Sequence, residues 1–373
     1  MGAFFLIRRM GTSSEDLRHR LSASFERQGF RPAVSLSGSD WDAVGYHPLG
    51  GGAAVPAMVG EDRAFCAGTL FYGGLAKEAA LRRLLEDHRT GQVDEAALFG
   101  SFAVLLVVAG EAAVLTDRTG TFHVYAAQSA SVLSTSVIAL AEALPSVTID
   151  EDGLYDYVLQ GAPMGPGTIF REIELLDSVL IHVVGSEVSR KPRPPLPAPP
   201  PVPGTLDEAA THCLDILRRR FAVAAQFWTD VDTALSGGYD SRLLLALARD
   251  AGMTPRVHVY GQDDDPDVVC AKAIAAGENF PIAHVDKQKT PLPPPDRFAE
   301  TVHANYLSFD GYPTDGIFDN GTDLATRLAR MADGALMLNG GGGEIFRNFF
   351  YLPDRPISAL RLAWTFYCQF DPQ

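Results

Sequence analysis

The sequence predicts two domains of different build: a layered α+β domain, then an α/β domain with a parallel sheet. Three observations carry that reading. From Lys191 to Gly204 the chain runs K-P-R-P-P-L-P-A-P-P-P-V-P-G. Proline lacks the N–H that helices and central strands need, so this is a stiff extended connector. Before it, strand-length apolar runs cluster with helices set apart; after it, strands and helices alternate, which is the pattern of a parallel sheet covered by helices. The expected boundaries are 1–190, a linker at 191–204, and 205–373.

In the first part, helices are expected at 14–28, 77–88 and 153–160. F102-A-V-L-L-V-V-A and A113-V-L-T read as a hairpin about Gly110-Glu111. F122-H-V-Y-A and S131-V-L-S-T-S continue the sheet, with D117-R-T-G-T as a turn. In the second part, T205-L-D-E208 has capping-box spacing. It opens a helix with Leu214, Leu217, Phe221 and Ala224 on one face. Strand V231-D-T-A-L, a helix at 241–249, strand R256-V-H-V-Y, a helix at 267–276 and strand I282-A-H-V follow. A helix at 323–331 and strand A335-L-M-L complete the series.

Composition narrows the function. The 373 residues are 46% hydrophobic and 21% charged, enough to bury a core in each part. A net charge of −15, with no Lys/Arg cluster against it, excludes a nucleic-acid face. In M-G-A-F-F-L-I-R-R-M the basic residues follow a short apolar run, the reverse of a signal peptide. No stretch approaches the roughly 20 apolar residues that cross a bilayer, so a cytoplasmic protein with no membrane partner is expected. Cys66, Cys213, Cys270 and Cys368 form no C-x-x-C pair, as in a reduced protein.

Two glycine loops, S236-G-G-Y-D-S241 and G340-G-G-G-E344, each follow a strand. Both therefore fall on the carboxyl edge of the sheet, where ligands of open α/β sheets bind. Gly237 and Gly238 let the backbone turn sharply, and the N–H groups at a helix start suit a phosphate. Ser236 and Ser241 add hydroxyls. Asp240 would repel a bare phosphate, so a cation belongs between them, and Mg²⁺ favours one or two carboxylates plus phosphate oxygens. The Walker pattern and its lysine are absent, as is G-x-G-x-x-G. A loop without that lysine suits the β/γ-pyrophosphate of ATP as a leaving group, pointing to adenylation.

S-G-G-Y-D-S resembles the S-G-G-x-D-S pyrophosphate loop of the glutamine-dependent asparagine synthetase family, including β-lactam synthetases and lasso-peptide cyclases. V259-Y-G-Q-D-D-D-P-D267 is similar to the family's V-G-x-x-x-x-P-D strand end. L98-F-G-S-F-A, D117-R-T-G-T-F-H-V-Y, L133-S-T-S and G167-T-I-F-R-E-I-E-L-L resemble, in the same order, its N-terminal segments. The resemblance implies an Ntn-hydrolase-like αββα domain and an adenine-nucleotide α-hydrolase-like ATP-pyrophosphatase domain. It implies a Mg²⁺- and ATP-dependent ligase that adenylates a small-molecule or peptide carboxylate, passes the acyl group to an amine donor and releases AMP. Ala234, Leu235, Ser236, Gly237, Gly238, Tyr239, Asp240, Ser241, Tyr260, Asn339 and Gly340 would bind the nucleotide. Asp240 and Glu344 would hold the metal and serve catalysis. A homodimer is an open expectation.

The sequence also departs from that family. Gly2, Ala3 and Phe4 follow Met1 where the glutaminase half uses an N-terminal cysteine, so no glutaminase activity is expected. Cys66 lies in an apolar setting and reads as a core residue. L338-N-G-G-G-G-E-I-F resembles S-G-x-G-x-D-E-x-F in either of two registers. One puts Gly343 at the metal aspartate; the other, preferred because it keeps a carboxylate facing Asp240, puts Glu344 there. The family's later general-base dyad and lysine have no counterpart before Gln373, so the second domain reads as incomplete. A nucleotide-binding scaffold that has lost catalysis and a lactam or lasso-peptide cyclase are the alternatives. His258 reads as a sheet histidine, Asp263–Asp265 as a solvated turn, and Arg347 as a residue within reach of a phosphate or carboxylate.

Overall fold

Strands that bury both faces read as unbroken apolar runs, whereas half-buried strands alternate. That distinction separates the two parts of the chain. The computed structural model describes residues 2–9, 11, 13–127, 129–161, 165–198, 204–311, 316–331, 333–341, 353 and 355–367. The first part holds β1 (Ala3–Arg8), α1 (Ser13–Arg27), β2 (Pro32–Ser37), β3 (Trp41–Tyr46), β4 (Ala57–Val59), β5 (Asp62–Tyr72), β6 (Leu75–Ala76) and α2 (Lys77–Thr90). Then come β7 (Leu98–Val108), β8 (Glu111–Thr116), β9 (Tyr125–Ala127), β10 (Val132–Ser134), α3 (Val137–Ala143) and α4 (Glu151–Gln160). β11 (Ile173–Leu175), β12 (Leu180–Val184) and β13 (Val188–Pro192) close it.

These strands form two antiparallel sheets, β11-β9-β10-β1-β3-β2 and β13-β12-β8-β7-β5-β4, with β6 paired to β5. Alternate residues of one strand serve different cores. In β1, Phe4 and Leu6 enter the layer between the sheets, while Ala3, Phe5 and Ile7 face α1 and α3. In β7, Ala103, Leu105 and Val107 face inward, and Phe102, Val104 and Leu106 pack on α2. The result is an α/β/β/α sandwich, the layering expected from the sequence. Each fully buried Phe or Leu contributes about 1.5–3 kcal/mol.

Two strands are shorter than the sequence suggests, for local reasons. Residues 122–124 leave the sheet because Asp117 organises the turn: its carboxylate accepts from the Thr121 N–H (3.0 Å) and the Phe122 N–H (2.9 Å). Ser136 ends the next strand by capping α3, accepting from the Ala139 N–H at 3.0 Å. The proline-rich connector also begins differently. Lys191 and Pro192 already pair in β13, a sheet edge where proline is tolerated. Arg193 is then buried and bidentate with Glu95, at 3.1 and 2.7 Å.

The second part contains α5 (Leu206–Ala225), β14 (Asp230–Ala234), α6 (Tyr239–Asp250), β15 (Thr254–Tyr260), α7 (Pro266–Gly277) and β16 (Ile282–Val285). α8 (Pro295–Ser308), α9 (Thr322–Met331), β17 (Leu336–Leu338) and α10 (Ala359–Tyr367) follow. Thr205 and Glu208 form the expected capping box. The sheet is parallel, in the order β16-β15-β14-β17. The chain winds outward from β14 through β15 to β16, then returns to the other side of β14 for β17. The topological switch point lies between β14 and β17.

The two faces of this sheet differ. Val231, Val257, Val259 and Leu336 pack under α5, α6 and α7. On the opposite face Asp232, Arg256, His258 and Tyr260 meet α9 and the turn after it: Arg256 pairs with Asp333, and Tyr260 bonds Thr326 at 2.8 Å. Parallel sheets ordinarily bury apolar residues on both sides. The alternation R-V-H-V-Y records this exception.

The two parts touch at several places among the described residues, among them Gly50 against Met331 of α9. Phe71 and Ala76 join the core formed by Phe221, Ala224 and Leu247, and Lys77 Nζ donates to the Phe227 carbonyl at 2.8 Å. Elsewhere Asp310, just after α8, accepts from Ser136 Oγ (2.5 Å), Val137 N (2.9 Å) and Ile138 N (3.3 Å) at the start of α3. Tyr157 Oη donates to the carbonyl of Gly311 beside it.

Candidate nucleotide site

The first glycine loop joins β14 to α6 at the switch point, where the carboxyl ends of diverging connections leave a crevice. Gly238 is the N-cap of α6 and, having no side chain, offers that helix no side-chain cap of its own. A helix start of this kind, with its dipole, is the type of end that suits an anion. Within the loop the backbone is tightly held. The Ser236 N–H donates to Ser241 Oγ (3.1 Å), the Gly238 N–H to Ser236 Oγ (3.1 Å), and the two hydroxyls lie 3.1 Å apart. The Gly237 N–H donates to Asp267 Oδ1 at 2.9 Å. Three loop donors are thus satisfied inside the protein.

The second glycine loop reaches the first. β17 pairs in parallel with β14, Leu338 opposite Thr233, so Asn339 and Gly340 emerge beside the loop after β14. A Cβ on Gly340 would lie 3.3 Å from Asp240 Cβ and 3.4 Å from Ser241 N. A side chain here would be tight, and the neighbouring backbone would have to give by a few tenths of an ångström. Asn339 Oδ1 accepts from the Gly341 N–H at 2.9 Å, turning the chain. Glu344 and Arg347 lie outside the described residues.

The other expected ligand residues are placed as follows. Ala234 is exposed at the end of β14. Leu235 is buried in the core with Leu245 and Val257, and its N–H donates to the His258 carbonyl at 2.9 Å, so only its carbonyl can face a ligand. Tyr239 is exposed, with the Arg242 guanidinium 4.5 Å from its ring centroid. Tyr260 is half-buried at the end of β15, its ring between Lys287 (5.7 Å) and Arg330 (5.6 Å).

Two features of the site escaped the sequence reading. Asp267 follows Pro266, which opens α7, and its carboxylate steadies the loop by holding Gly237. Beneath the site, buried Asp232 lies 3.2 Å from His258 Nδ1 and 3.7 Å from Arg330 Nε, while Arg330 donates to His258 Nε2. The alternating polar positions of β14 and β15 were the available signal for this network. Asp263 pairs with Lys272 and Lys289, whose hydrogen bonds hold its carboxyl well below the usual range. Cys66 is half-buried at the edge of the core that Leu70, Leu84 and Leu106 share, and burial pushes its thiol up to about 12.

Among the described residues no group of three or more His, Cys, Asp or Glu could hold a metal. Mg²⁺ needs few protein carboxylates when phosphates and water complete its octahedron. Asp240, in the first turn of α6 against Gly340, therefore fits an ion that arrives with a polyphosphate and does not fit a permanently held one.

No family model matches the chain, and no curated protein matches it. Among solved structures it is similar to one described as the allosteric regulatory enzyme of purine biosynthesis, at 10% identity and TM-score 0.34, covering 77% of this chain and 80% of that one. It is also similar to glutamine phosphoribosylpyrophosphate amidotransferase from B. subtilis complexed with ADP and GMP, at 10% identity and TM-score 0.34, covering 77% and 91%. Likeness at that level is too slight to carry a functional inference. Among the described residues no helix is long and apolar enough to cross a membrane.

Proposed function

We propose that the chain is an asparagine-synthetase-related, ATP-dependent, AMP-forming ligase that makes an amide bond in the cytoplasm without glutaminase activity. One observation carries the reading: a helix that starts on a glycine N-cap lies at the switch point of a parallel sheet, with a second glycine loop packed against its aspartate. In the proposed reaction a carboxylate oxygen attacks the α-phosphorus of ATP and the bond to pyrophosphate breaks. An amine nitrogen then attacks the acyl carbon, loses a proton, and AMP departs. The α6 N-terminus and the Ser236 and Ser241 hydroxyls would hold the pyrophosphate, and Asp267 would keep the loop in shape. Ala234, Tyr260, Asn339 and Gly340 would flank the adenosine. Mg²⁺, held by Asp240 and Glu344, would neutralise charge on the pyrophosphate.

The internal bonds of Ser236, Gly237 and Gly238 favour a second reading, since they leave the loop fewer donors than its composition offers. In that reading the protein binds a nucleotide without turning it over. Carboxylate-dependent ATP–pyrophosphate exchange separates the two. A panel including aspartate, other amino acids and peptide carboxylates should show exchange that Asp240→Ala abolishes. ATP binding with no exchange across the panel supports the scaffold.

A further inference from the structure

A cavity of about 740 Å³ opens at the seam between the two parts, and no residue of either glycine loop lines it. Val137, Ile138 and Phe170 form one wall; Phe298, Val302 and Phe318 form the other. The volume falls within the roughly 300–1,000 Å³ of small-molecule sites. Phe318 is 73% exposed, Phe298 40% and Tyr306 37%. Scattered exposed apolar residues are ordinary, but three aromatics converging on one hollow mark a binding surface.

The lining also fixes the charge of the occupant. Among the described residues the lining holds no lysine or arginine, and its basic side chains are the two histidines, His123 and His303. Asp310 lies on the wall, but its carboxylate is engaged by three donors of the α3 start. Burial lowers the pKa of His123, keeping that imidazole neutral at physiological pH, and burial raises that of the Tyr306 hydroxyl, keeping its proton in place. A charged ligand would lose its hydration here: an anion meets no lysine or arginine, and a cation meets a carboxylate already engaged by three donors. An apolar one gains dispersion contacts that the bare walls forgo.

We propose that this interdomain cavity is a binding site for an uncharged small organic molecule with an apolar, aromatic or aliphatic body. The site stands independently of the nucleotide reading. It is tested by titrating the full chain with the neutral fluorophore N-phenyl-1-naphthylamine, with the anionic 1-anilinonaphthalene-8-sulfonate in parallel. Saturable binding of one equivalent of the neutral probe is expected, with the anionic probe at least tenfold weaker. Ala299→Trp, which fills the cavity from α8, should weaken the neutral probe at least tenfold. Val302→Phe, a smaller filling, should do so in the same direction, with folding of both variants checked by circular dichroism. No saturable binding, equal affinity for the two probes, or unchanged affinity in the folded filled variants would overturn the proposal.

Discussion

Replacing Asp310 with alanine should loosen the seam between the two parts, by an amount that depends on pH. The carboxylate serves three donors at the start of α3, a span of more than 170 residues in sequence. Asp310 adopts φ 50°, a left-handed conformation that aspartate tolerates better than most residues, and this turns the chain back toward α3. Removing it strands two backbone N–H groups and orphans one bond of Ser136. With about 1–3 kcal/mol for unsatisfied buried donors and about 0.5–2 kcal/mol for a lost cap, the cost should be about 2–3 kcal/mol. Burial is the largest influence on this acid; it outweighs the three hydrogen bonds and pushes its pKa up to about 6, from an ordinary 3.8. A carboxyl raised in the folded state contributes stability that is fully present below about 3.8 and lost as pH rises through about 6. The gap between wild type and Asp310→Ala should therefore be wider at pH 5 than at pH 7.5, by roughly 1 kcal/mol. Urea unfolding of both proteins at the two pH values reads it directly. A gap that stays constant, or widens toward high pH, would refute the reasoning.

Other expectations follow from the same contacts. Glu95→Ala leaves Arg193 buried without its carboxylate and should cost about 3–5 kcal/mol, read as a fall in urea midpoint and as faster proteolysis of the following proline-rich segment. Gly340→Val should separate the two glycine loops, because its Cβ would meet Asp240 at 3.3 Å; nucleotide affinity should fall at least tenfold while far-UV circular dichroism stays unchanged. Asp267→Ala frees the Gly237 N–H and removes the loop's brace. It should weaken ATP binding severalfold, with Asp267→Asn, which keeps an acceptor oxygen, closer to wild type in the same titration.

What the sequence made legible depended on how local each cause was. The S-G-G-Y-D-S loop, the capping box at Thr205 and the β7–β8 hairpin are each set by a few adjacent residues, and their positions agree with the structure. β13, Val188–Pro192, shows little apolar content because it is a mostly exposed edge, and its last two residues, Lys191 and Pro192, fall in the stretch that reads as linker. α8, which the sequence reading does not include, opens within P291-L-P-P-P; Pro295 occupies its first turn, where a missing N–H costs nothing. The roles of Asp310, Asp267 and Arg193 come from partners 30 to 174 residues away. No periodicity or motif in one segment encodes such pairings. Glu344, the metal ligand preferred from the sequence, lies outside the described residues.

The central claim is that the β14–α6 loop and the loop after β17 together form a nucleotide site. Isothermal titration of the full chain with ATP, with and without Mg²⁺, tests it most directly. The account predicts one site whose affinity requires Mg²⁺, falls at least tenfold in Asp240→Ala, and is lost in Gly237→Val, where a Cβ would lie 3.0 Å from Asp267 Oδ1. Absence of ATP binding to the wild-type chain, or equal binding in both variants, would contradict it.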